Sequence, residues 1–198
     1  MRFTRFDVAA LAATSWKNGG GTTREIACQP QAADMAHFDW RVSVATIAEA
    51  GAFSVFPGVD RVILLLGGDG VRLHAATGLD HRLDTPLVPF AFAGDTAVDC
   101  ALLGGMSIDF NVMARRDRCR ADVKVMRQAC ELGVASDGLV LAWGGTWNLQ
   151  CGGDQLVCPA GAGLWWLGQG AQAGWHAQPQ SPDAALVAVR LLCLDAAA

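Results

Sequence analysis

The sequence predicts an all-β fold built from two small jelly-roll β-barrels. Short runs of alternating apolar and polar residues recur along the chain, and glycine-rich turns separate them. The second half repeats the rhythm of the first, because residues 138–149 have the same apolar strand, Gly-Gly turn and return strand as residues 62–73. No convincing long helix is visible. We therefore expect one unit over residues 1–198, with approximate halves 1–120 (N-terminal barrel) and 121–198 (C-terminal barrel).

A two-residue period assigns the strands of the N-terminal half in order. The clearest case is residues 38–47, in which Trp40 and Val42 point one way while Arg41 and Ser43 point the other. The polar face of this strand suits either solvent or the lining of a cavity. Strands are predicted, with turns between them, at residues 2–6, 22–28, 38–47, 61–66, 71–74, 79–83, 89–95, 100–103 and 108–114.

In the strand 22–28, we expect Arg24 and Cys28 to lie on the same side. Three further segments complete the assignment of structure to the chain. A short helical turn is predicted near residues 9–13, and the chain closes with an apolar strand over residues 184–194. The basic cluster at residues 115–120 is expected to be a solvated turn or sheet edge.

The net charge and hydropathy of the chain argue against several classes of protein. The net charge of −4 argues against a general nucleic-acid-binding protein, which needs a basic face to neutralise phosphates. The first residues alternate and carry charge, unlike a secretory signal, and no segment approaches the ~20 apolar residues that span a bilayer. The seven cysteines form no Cys-x-x-Cys pair, and most lie among apolar neighbours as free buried thiols do. We expect a cytoplasmic protein without membrane or nucleic-acid partners.

A glycine triplet flanked by hydrogen-bond donors is the most unusual stretch of the chain. Ammonium, amide and guanidinium groups beside a backbone without side chains suit a small carboxylate better than an apolar molecule. A tight turn between two strands, with Lys17 and Arg24 simply solvated, explains the stretch equally well. Its sequence is Trp16-Lys17-Asn18-Gly19-Gly20-Gly21-Thr22-Thr23-Arg24-Glu25.

The common signatures of metal, cofactor and nucleophile chemistry are missing from the sequence. There is no His-x-His pair, and His74 and His81, which could meet across a hairpin, have no third ligand. There is also no Gly-x-Ser-x-Gly elbow and no dinucleotide-binding or phosphate-loop pattern. We therefore expect no metal, no cofactor and no catalytic residue of these types.

Four segments together resemble the HutD/Ves family in order and spacing, over most of the chain. This resemblance implies a bicupin, that is, two RmlC-like (cupin) barrels, without the metal-binding histidines of other cupins. It also implies binding of a small acid such as formylglutamate or urocanate and a role in modulating histidine utilisation. The segments are residues 16–26, Trp40-Arg41-Val42-Ser43-Val44-Ala45, Phe53-Ser54-Val55-Phe56-Pro57-Gly58-Val59-Asp60-Arg61 and Asp109-Phe110-Asn111-Val112-Met113.

The residue types and the resemblance together give a set of candidate ligand-binding residues. Arg61 starts a strand directly after a Pro-Gly turn, so its guanidinium can be held at a barrel mouth. An ion pair with Asp39 or Glu25 is an almost equally good explanation for Arg41, and Asp109 is better explained as a partner of an arginine than as an acid catalyst. The full set is Lys17, Asn18, Gly19, Gly20, Gly21, Thr22, Arg24, Arg41, Ser43, Arg61 and Asn111.

Two other function classes stay open. The first is a metal-independent cupin enzyme (an isomerase, epimerase or lyase acting on a small acid), with Glu25 or a histidine as the base. The second is a structural interaction protein with an exposed apolar patch, supported by Trp143, Trp147, Trp165, Trp166 and Trp175, although a barrel core explains these tryptophans too. A small carboxylate metabolite is the expected partner, and a homodimer is left open.

Overall fold

The computed structural model describes residues 3–168 and 174–194, and these residues form strands joined by turns and one short 3-10 helix, Val8–Ala10. The strands are β1 (Phe3–Asp7), β2 (Ala13–Ser15), β3 (Gly21–Gln29), β4 (Trp40–Ile47), β5 (Gly51–Ala52), β6 (Val59–Gly68), β7 (Val71–His74), β8 (Asp80–Leu83), β9 (Phe90–Ala93), β10 (Asp99–Leu102), β11 (Ser107–Arg115), β12 (Cys119–Met126), β13 (Cys130–Leu132), β14 (Asp137–Trp143), β15 (Trp147–Cys151), β16 (Asp154–Cys158), β17 (Ala162–Trp166), β18 (Trp175–Pro179) and β19 (Ala185–Cys193).

The chain divides into two compact units. The N-terminal unit contains residues 11–119, and the C-terminal unit contains the residues up to Ala10 together with those from Arg120 onward. The sequence placed the first strand in the N-terminal half. In the structure β1 instead pairs along its whole length with β17, from Phe3 opposite Trp166 to Asp7 opposite Ala162. A pattern of alternating residues identifies a strand but carries no information about a partner so distant in sequence.

The N-terminal unit is a jelly roll of two antiparallel sheets. One sheet has the strand order β2-β3-β4-β11-β6-β9, and the other has the order β5-β10-β7-β8. Their apolar side chains form one core, to which Ile63 and Leu65 contribute from the larger sheet and Leu73 and Cys100 from the smaller one. The space between the two sheets is therefore the interior of this unit, and we call the side of the larger sheet that faces it the inner face.

Strand β11 lies at the centre of the larger sheet and determines which side chains share the inner face. Asn111 is opposite Ser43 of β4 and Ile63 of β6, while Met113 is opposite Arg41 and Arg61. Directly opposed residues of antiparallel strands project to the same side. The side chains of Arg41, Ser43, Arg61, Asp109 and Asn111 therefore all lie on the inner face, as Ile63 and Leu65 do.

A β-bulge in β3 changes the side on which its residues project. The register shifts between Glu25 and Ala27, so that Ile26 has no direct partner on β4. Arg24 is opposite Val44, which faces away from the inner face, whereas Cys28 is opposite Arg41 on the inner face. The sequence analysis expected Arg24 and Cys28 on the same side, and this expectation is wrong because the extra residue resets the alternation.

The C-terminal unit is a second pair of sheets. Its strand orders are β1-β17-β14-β19-β12 and β13-β18-β15-β16. The core contains Trp147, Trp166 and Trp175, with Phe3 packed against the ring of Trp175 at a centroid distance of 5.6 Å. In the part of the chain that the structure describes, no helix has the length and hydropathy needed to cross a membrane.

Most predicted strands are present, and those that the sequence analysis did not assign have five residues or fewer, with the exception of β12. The unassigned strands are β2, β5, β12, β13, β16, β17 and β18. The basic cluster contains the turn between β11 and β12, where Arg118 N–H donates to the carbonyl of Arg115 at 2.9 Å. Five cysteines are free thiols, as expected, whereas Cys119 and Cys193 are disulfide-bonded.

Candidate functional site

The inner face of the N-terminal unit carries charged and polar side chains inside an otherwise apolar core. Five of them define what we call the inner polar cluster: Arg41, Ser43, Arg61, Asp109 and Asn111. Burying such groups is costly unless each finds a partner. The hydrogen bonds of these side chains therefore show whether the cluster is a finished structural network or a site with unused capacity.

Arg61 is the buried cation of the cluster. Only 6% of the residue is exposed, and its guanidinium carbon lies 5.1 Å from the ring centre of Phe53, 5.8 Å from that of Phe56 and 4.9 Å from that of Phe92. Its Nε has no hydrogen-bond partner. Burial, with a smaller effect from the charge of Arg41, lowers the pKa of Arg61 to about 10, so the group remains a cation at neutral pH.

Asp109 is the buried acid of the cluster. The residue is 0% exposed, and neither carboxylate oxygen has a hydrogen-bond partner. Burial raises the pKa of Asp109 to about 7, and the nearby charge of Arg61 acts in the opposite direction. Asp109 and Arg61 thus influence one another electrostatically but form no ion pair within the part of the chain that the structure describes.

The remaining members of the cluster are satisfied to different degrees. Arg41 donates from Nε to Oε2 of Glu25 at 2.6 Å, so the ion pair with Glu25 that the sequence analysis weighed is formed. Ser43 is 1% exposed, and the buried Oδ1 of Asn111 has no hydrogen-bond partner. The cluster therefore contains a paired cation at Arg41 and unused hydrogen-bonding capacity at Asn111, Asp109 and Arg61.

The glycine stretch forms the turn between β2 and β3. Trp16 N–H donates to the carbonyl of Gly21 at 2.9 Å, and Oδ1 of Asn18 accepts from Gly20 N–H at 3.1 Å. A side chain at Gly21 would place its Cβ in a steric clash with the carbonyl oxygen of Thr46, which explains why glycine is required there. Turn geometry therefore accounts for Gly21 and for one side-chain oxygen of Asn18, while Lys17 is exposed to solvent.

Two of the predicted site residues project from the opposite face of the larger sheet. Thr22 is opposite Thr46 and Arg24 is opposite Val44, on the side of the sheet that faces away from the interior. The Nε of Arg24 is buried without a hydrogen-bond partner, and no ion pair of Arg24 occurs among the described residues. The structure therefore brings together Arg41, Ser43, Arg61 and Asn111 but places Arg24 on the opposite face.

Sequence reasoning missed the aromatic surroundings of Arg61. Phe53 and Phe56 belong to the segment that precedes Arg61, and Phe92 is opposite Arg61 in the pairing of β6 with β9. The aromatic contacts extend beyond the surroundings of Arg61. Phe92 stacks on Phe90, and Phe90 stacks on the ring of His81 at a centroid distance of 3.6 Å. The phenylalanine alternation in β9 was a usable signal, since every second residue of a strand faces the same side.

The other candidates are placed as follows. His74 is opposite Asp80 whereas His81 is opposite Leu73, so the two imidazoles project from opposite sides of the smaller sheet. Across the described ranges, no group of three or more metal-ligating side chains comes together. Trp147, Trp166 and Trp175 are buried in the C-terminal core, and they therefore do not form the exposed patch that an interaction protein would need.

Comparison with known proteins gives consistent matches. The HutD family model matches residues 8–181. The chain is 44% identical to Protein Ves of Cronobacter sakazakii over 162 residues, which are 81% of this chain and 85% of that protein.

Solved structures agree with these matches. A conserved protein of unknown function from Pseudomonas aeruginosa PAO1 superposes with a TM-score of 0.88 at 32% identity, covering 97% of this chain and 100% of the other. HutD from Pseudomonas fluorescens SBW25, in a formate condition, superposes with a TM-score of 0.81 at 28% identity, covering 98% and 100%. A cupin 2 conserved barrel protein from Leptotrichia buccalis shares the fold alone, with a TM-score of 0.59 at 8% identity over 94% of this chain and 95% of that one. The prediction of an all-β, cupin-like fold is confirmed.

Proposed function

Since this chain belongs to the HutD family, we propose that it is a HutD-type binding protein for a small carboxylate metabolite. The metabolite would bind on the inner face of the N-terminal unit. The resemblance to the family further supports a cytoplasmic role in modulating histidine utilisation, with a formylglutamate- or urocanate-like acid as the ligand.

The observation that carries this proposal is the buried, unpaired guanidinium of Arg61. A guanidinium offers five N–H donors in a planar fork that matches the two oxygens of a carboxylate. Here the Nε donor is buried without a partner, and three phenylalanine rings surround the group instead of acceptors. Cation–π contacts stabilise the charge in part, but they leave the N–H groups without acceptors. A carboxylate ligand would supply those acceptors.

The neighbouring side chains support a small polar ligand. Asn111 and Ser43 face each other across β11 and β4, and the Oδ1 of Asn111 is an acceptor without a donor. The Phe53, Phe56 and Phe92 rings give the site apolar walls, which small-molecule sites usually combine with a few fixed polar groups. Arg41 is held by Glu25 and would contribute mainly through its position beside the site.

The turn residues have a less direct role in this proposal. Lys17, Asn18 and Gly19 are exposed at the β2–β3 turn, from which Lys17 could contact a ligand that extends beyond the cluster. Gly20, Gly21 and Thr22 would act by fixing that turn. Arg24 projects from the other side of the sheet, so we do not include it among the residues that contact the carboxylate.

The direct test is calorimetric titration with formylglutamate, urocanate, formate and glutamate, together with the neutral amide formamide. We expect at least one carboxylate to bind and formamide to give no heat, because a charge-assisted pair with Arg61 cannot form. Arg61→Ala should abolish binding. Arg82→Ala is the matched control, since Arg82 is exposed and pairs with Asp84 at 2.9 Å.

Two results would contradict the proposal. One is the absence of any heat or thermal shift with all four acids. The other is equal loss of binding in the Arg61→Ala and Arg82→Ala variants, because that result would point to general electrostatics and not to a site at Arg61.

A metal-independent enzyme acting on a small acid is the second candidate function, and the chemistry of Asp109 favours it. A buried carboxyl group whose pKa is raised to about 7 is suited to accept a proton at neutral pH. Glu25, the base that the sequence suggested, is instead held by Arg41 at 2.6 Å. Turnover of one of the four acids by the wild-type protein, lost in Asp109→Asn and kept in Glu25→Gln, would support the enzyme over the binding protein.

A further inference from the structure

Resting on the carboxylate site proposed above, we propose that Asp109 accepts a proton when a carboxylate binds to Arg61. The binding-competent form of the site then has a neutral carboxyl group at Asp109 and a cationic guanidinium at Arg61. Binding would be coupled to proton uptake and would respond to pH even when the ligand itself does not titrate.

The position of Asp109 supports this inference. It lies on the inner face, in the same strand as Asn111, and is opposite Ala45 of β4 and Leu65 of β6. Neither neighbour can donate a hydrogen bond from its side chain, and both carboxylate oxygens are buried without partners. An ionised carboxylate in this position has no donor to stabilise it, and the charge of Arg61 is the one electrostatic contribution that favours ionisation.

The other groups around Asp109 do not stabilise its ionised form. Arg41 is held in its ion pair with Glu25 and is not among the groups that shift the pKa of Asp109. The Cys100 thiol faces Asp109 from the smaller sheet, where burial and the Asp109 charge raise the pKa of the thiol to about 12. Ser43 and Asn111 are neutral. The titratable and charged side chains that face the interior come from six strands: Glu25 and Cys28 from β3, Arg41 from β4, Arg61 from β6, His81 from β8, Cys100 from β10 and Asp109 itself from β11.

A bound carboxylate removes the stabilising effect of Arg61 and adds a negative charge of its own. Both effects favour the neutral form of Asp109, whose pKa in the free protein is about 7 because of burial. Between the free and the bound pKa, one proton is taken up with each ligand. The affinity is therefore highest below the free pKa, and it falls by up to about tenfold for each pH unit above it until the bound pKa is reached.

The test uses formate, which stays ionised from about pH 5.5 to about pH 8.5, so any pH dependence belongs to the protein. Calorimetry in two buffers of different ionisation enthalpy counts the protons that are taken up. We expect a count near zero at about pH 5.5, and one that rises towards one proton per formate at about pH 8. The carboxyl carbon of Asp109, observed by NMR with ¹³C-labelled aspartate, should titrate near neutral pH and should shift to higher pH when formate is added.

Two variants distinguish a proton taken up by Asp109 from an effect of the overall charge of the protein. Asp109→Asn resembles the neutral acid in shape and charge, so its formate affinity should match the low-pH value of the wild type and should not change with pH. Asp99→Asn removes an exposed carboxylate of the same unit and should keep the wild-type pH dependence. If Asp109→Asn does not fold, the proton count on the wild-type protein decides the question alone.

The outcomes are distinct. Formate binding without proton uptake, or an Asp109 carboxyl that titrates in the ordinary range, would overturn this inference and leave the carboxylate site standing. Failure of formate to bind at any pH, together with failure of the other acids, would overturn the carboxylate site and this inference with it. Proton uptake that persists in Asp109→Asn would assign the proton to another group and would also overturn the inference.

Discussion

In the C-terminal unit the space between the two sheets is filled by three indole rings, whereas in the N-terminal unit the corresponding space holds a guanidinium and a carboxyl group. Trp147, Trp166 and Trp175 are each at most 3% exposed and pack in one cluster with leucines and alanines. Arg61 and Asp109 are buried to a similar degree, at 6% and 0% exposed. Both interiors are therefore largely apolar, and the N-terminal one differs by holding two buried charged residues with unpaired polar atoms.

The difference teaches where stability and function are located in this chain. Apolar burial stabilises a fold, while unpartnered buried charge destabilises it and persists where function requires it. The C-terminal interior also has unsatisfied groups, because the indole N–H donors of Trp147 and Trp175 lack partners. Those indoles are neutral, so leaving them unpaired costs much less than leaving a charge unpaired. The Nε of Arg190 in this unit also lacks a partner, but the same guanidinium donates to the carbonyl of Val134 at 3.1 Å. Apolar burial in the C-terminal interior thus contributes mainly to stability, and the ligand binding proposed above would belong to the N-terminal interior.

The largest change in the free energy of unfolding is expected from Trp147→Ala in the C-terminal core. Trp147 is 0% exposed, and its removal should lower the free energy of unfolding by about 3–5 kcal/mol through lost burial and a cavity. Denaturant unfolding measures this change, with half-buried Trp165→Ala as a control that should lose less. If Trp147→Ala weakened formate binding in the protein that remained folded, the separation of the two interiors would be refuted.

Asp109→Asn should have the opposite effect on stability. Burial raises the folded-state pKa of Asp109 from 3.8 to about 7, so the folded protein binds a proton that the unfolded chain lacks in that range. The free energy of unfolding of the wild type should therefore fall as pH rises from about 4 to about 7 and then level off. At about pH 8 the variant should be more stable by up to about 4 kcal/mol, and near pH 4 the two should agree. Unfolding curves across pH measure this, and a variant that is less stable at pH 8 would contradict it.

Arg61→Met should separate stability from binding within the N-terminal unit. Methionine can fill the space among Phe53, Phe56 and Phe92 without a buried charge, so the free energy of unfolding at about pH 6 should change by about 1 kcal/mol or less. Carboxylate binding should be lost completely. A large loss of stability would instead make Arg61 a structural residue and would remove the contrast between the two interiors.

Glu25→Gln should change the free energy of unfolding the least. The Arg41–Glu25 pair is partly exposed, with 13% and 43% of the two side chains accessible, so its loss should cost less than about 1 kcal/mol of stability. The change frees the charge of Arg41 beside the cluster, and formate should bind as tightly as to the wild type or more tightly. Weaker formate binding would show that Glu25 itself contributes to the site.

The sequence alone was sufficient to predict the fold class and the polar face of β4, although it left open whether that face meets solvent or lines a cavity. Arg41 and Ser43 alternate with Trp40 and Val42, and the structure places the two pairs on opposite sides of the sheet. The family resemblance was confirmed by the HutD match over residues 8–181. These features are local, because strand periodicity and short motifs are contained in consecutive residues.

The features that the sequence did not reveal depend on distant pairing or on a single inserted residue. Ile26 forms the bulge that sends Arg24 to the other face, and a regular alternation gives no warning of it. Asp109 was expected to be the partner of an arginine and not an acid catalyst, since its lack of hydrogen bonds depends on Ala45 and Leu65 lying opposite it. Pairings of this kind become visible only when the strands are assembled.

The pairing of β1 with β17 also sets an order of events during synthesis. Residues Phe3–Asp7 are synthesised well before their partners Ala162–Trp166, because the whole of residues 11–119 lies between them in the sequence. Residues 11–119 can form both of their sheets while β1 is still unpaired, because β17 has not yet been synthesised. From the synthesis of β1 until that of β17, the nascent chain thus carries an unpaired strand to which chaperones that shield such edges could bind.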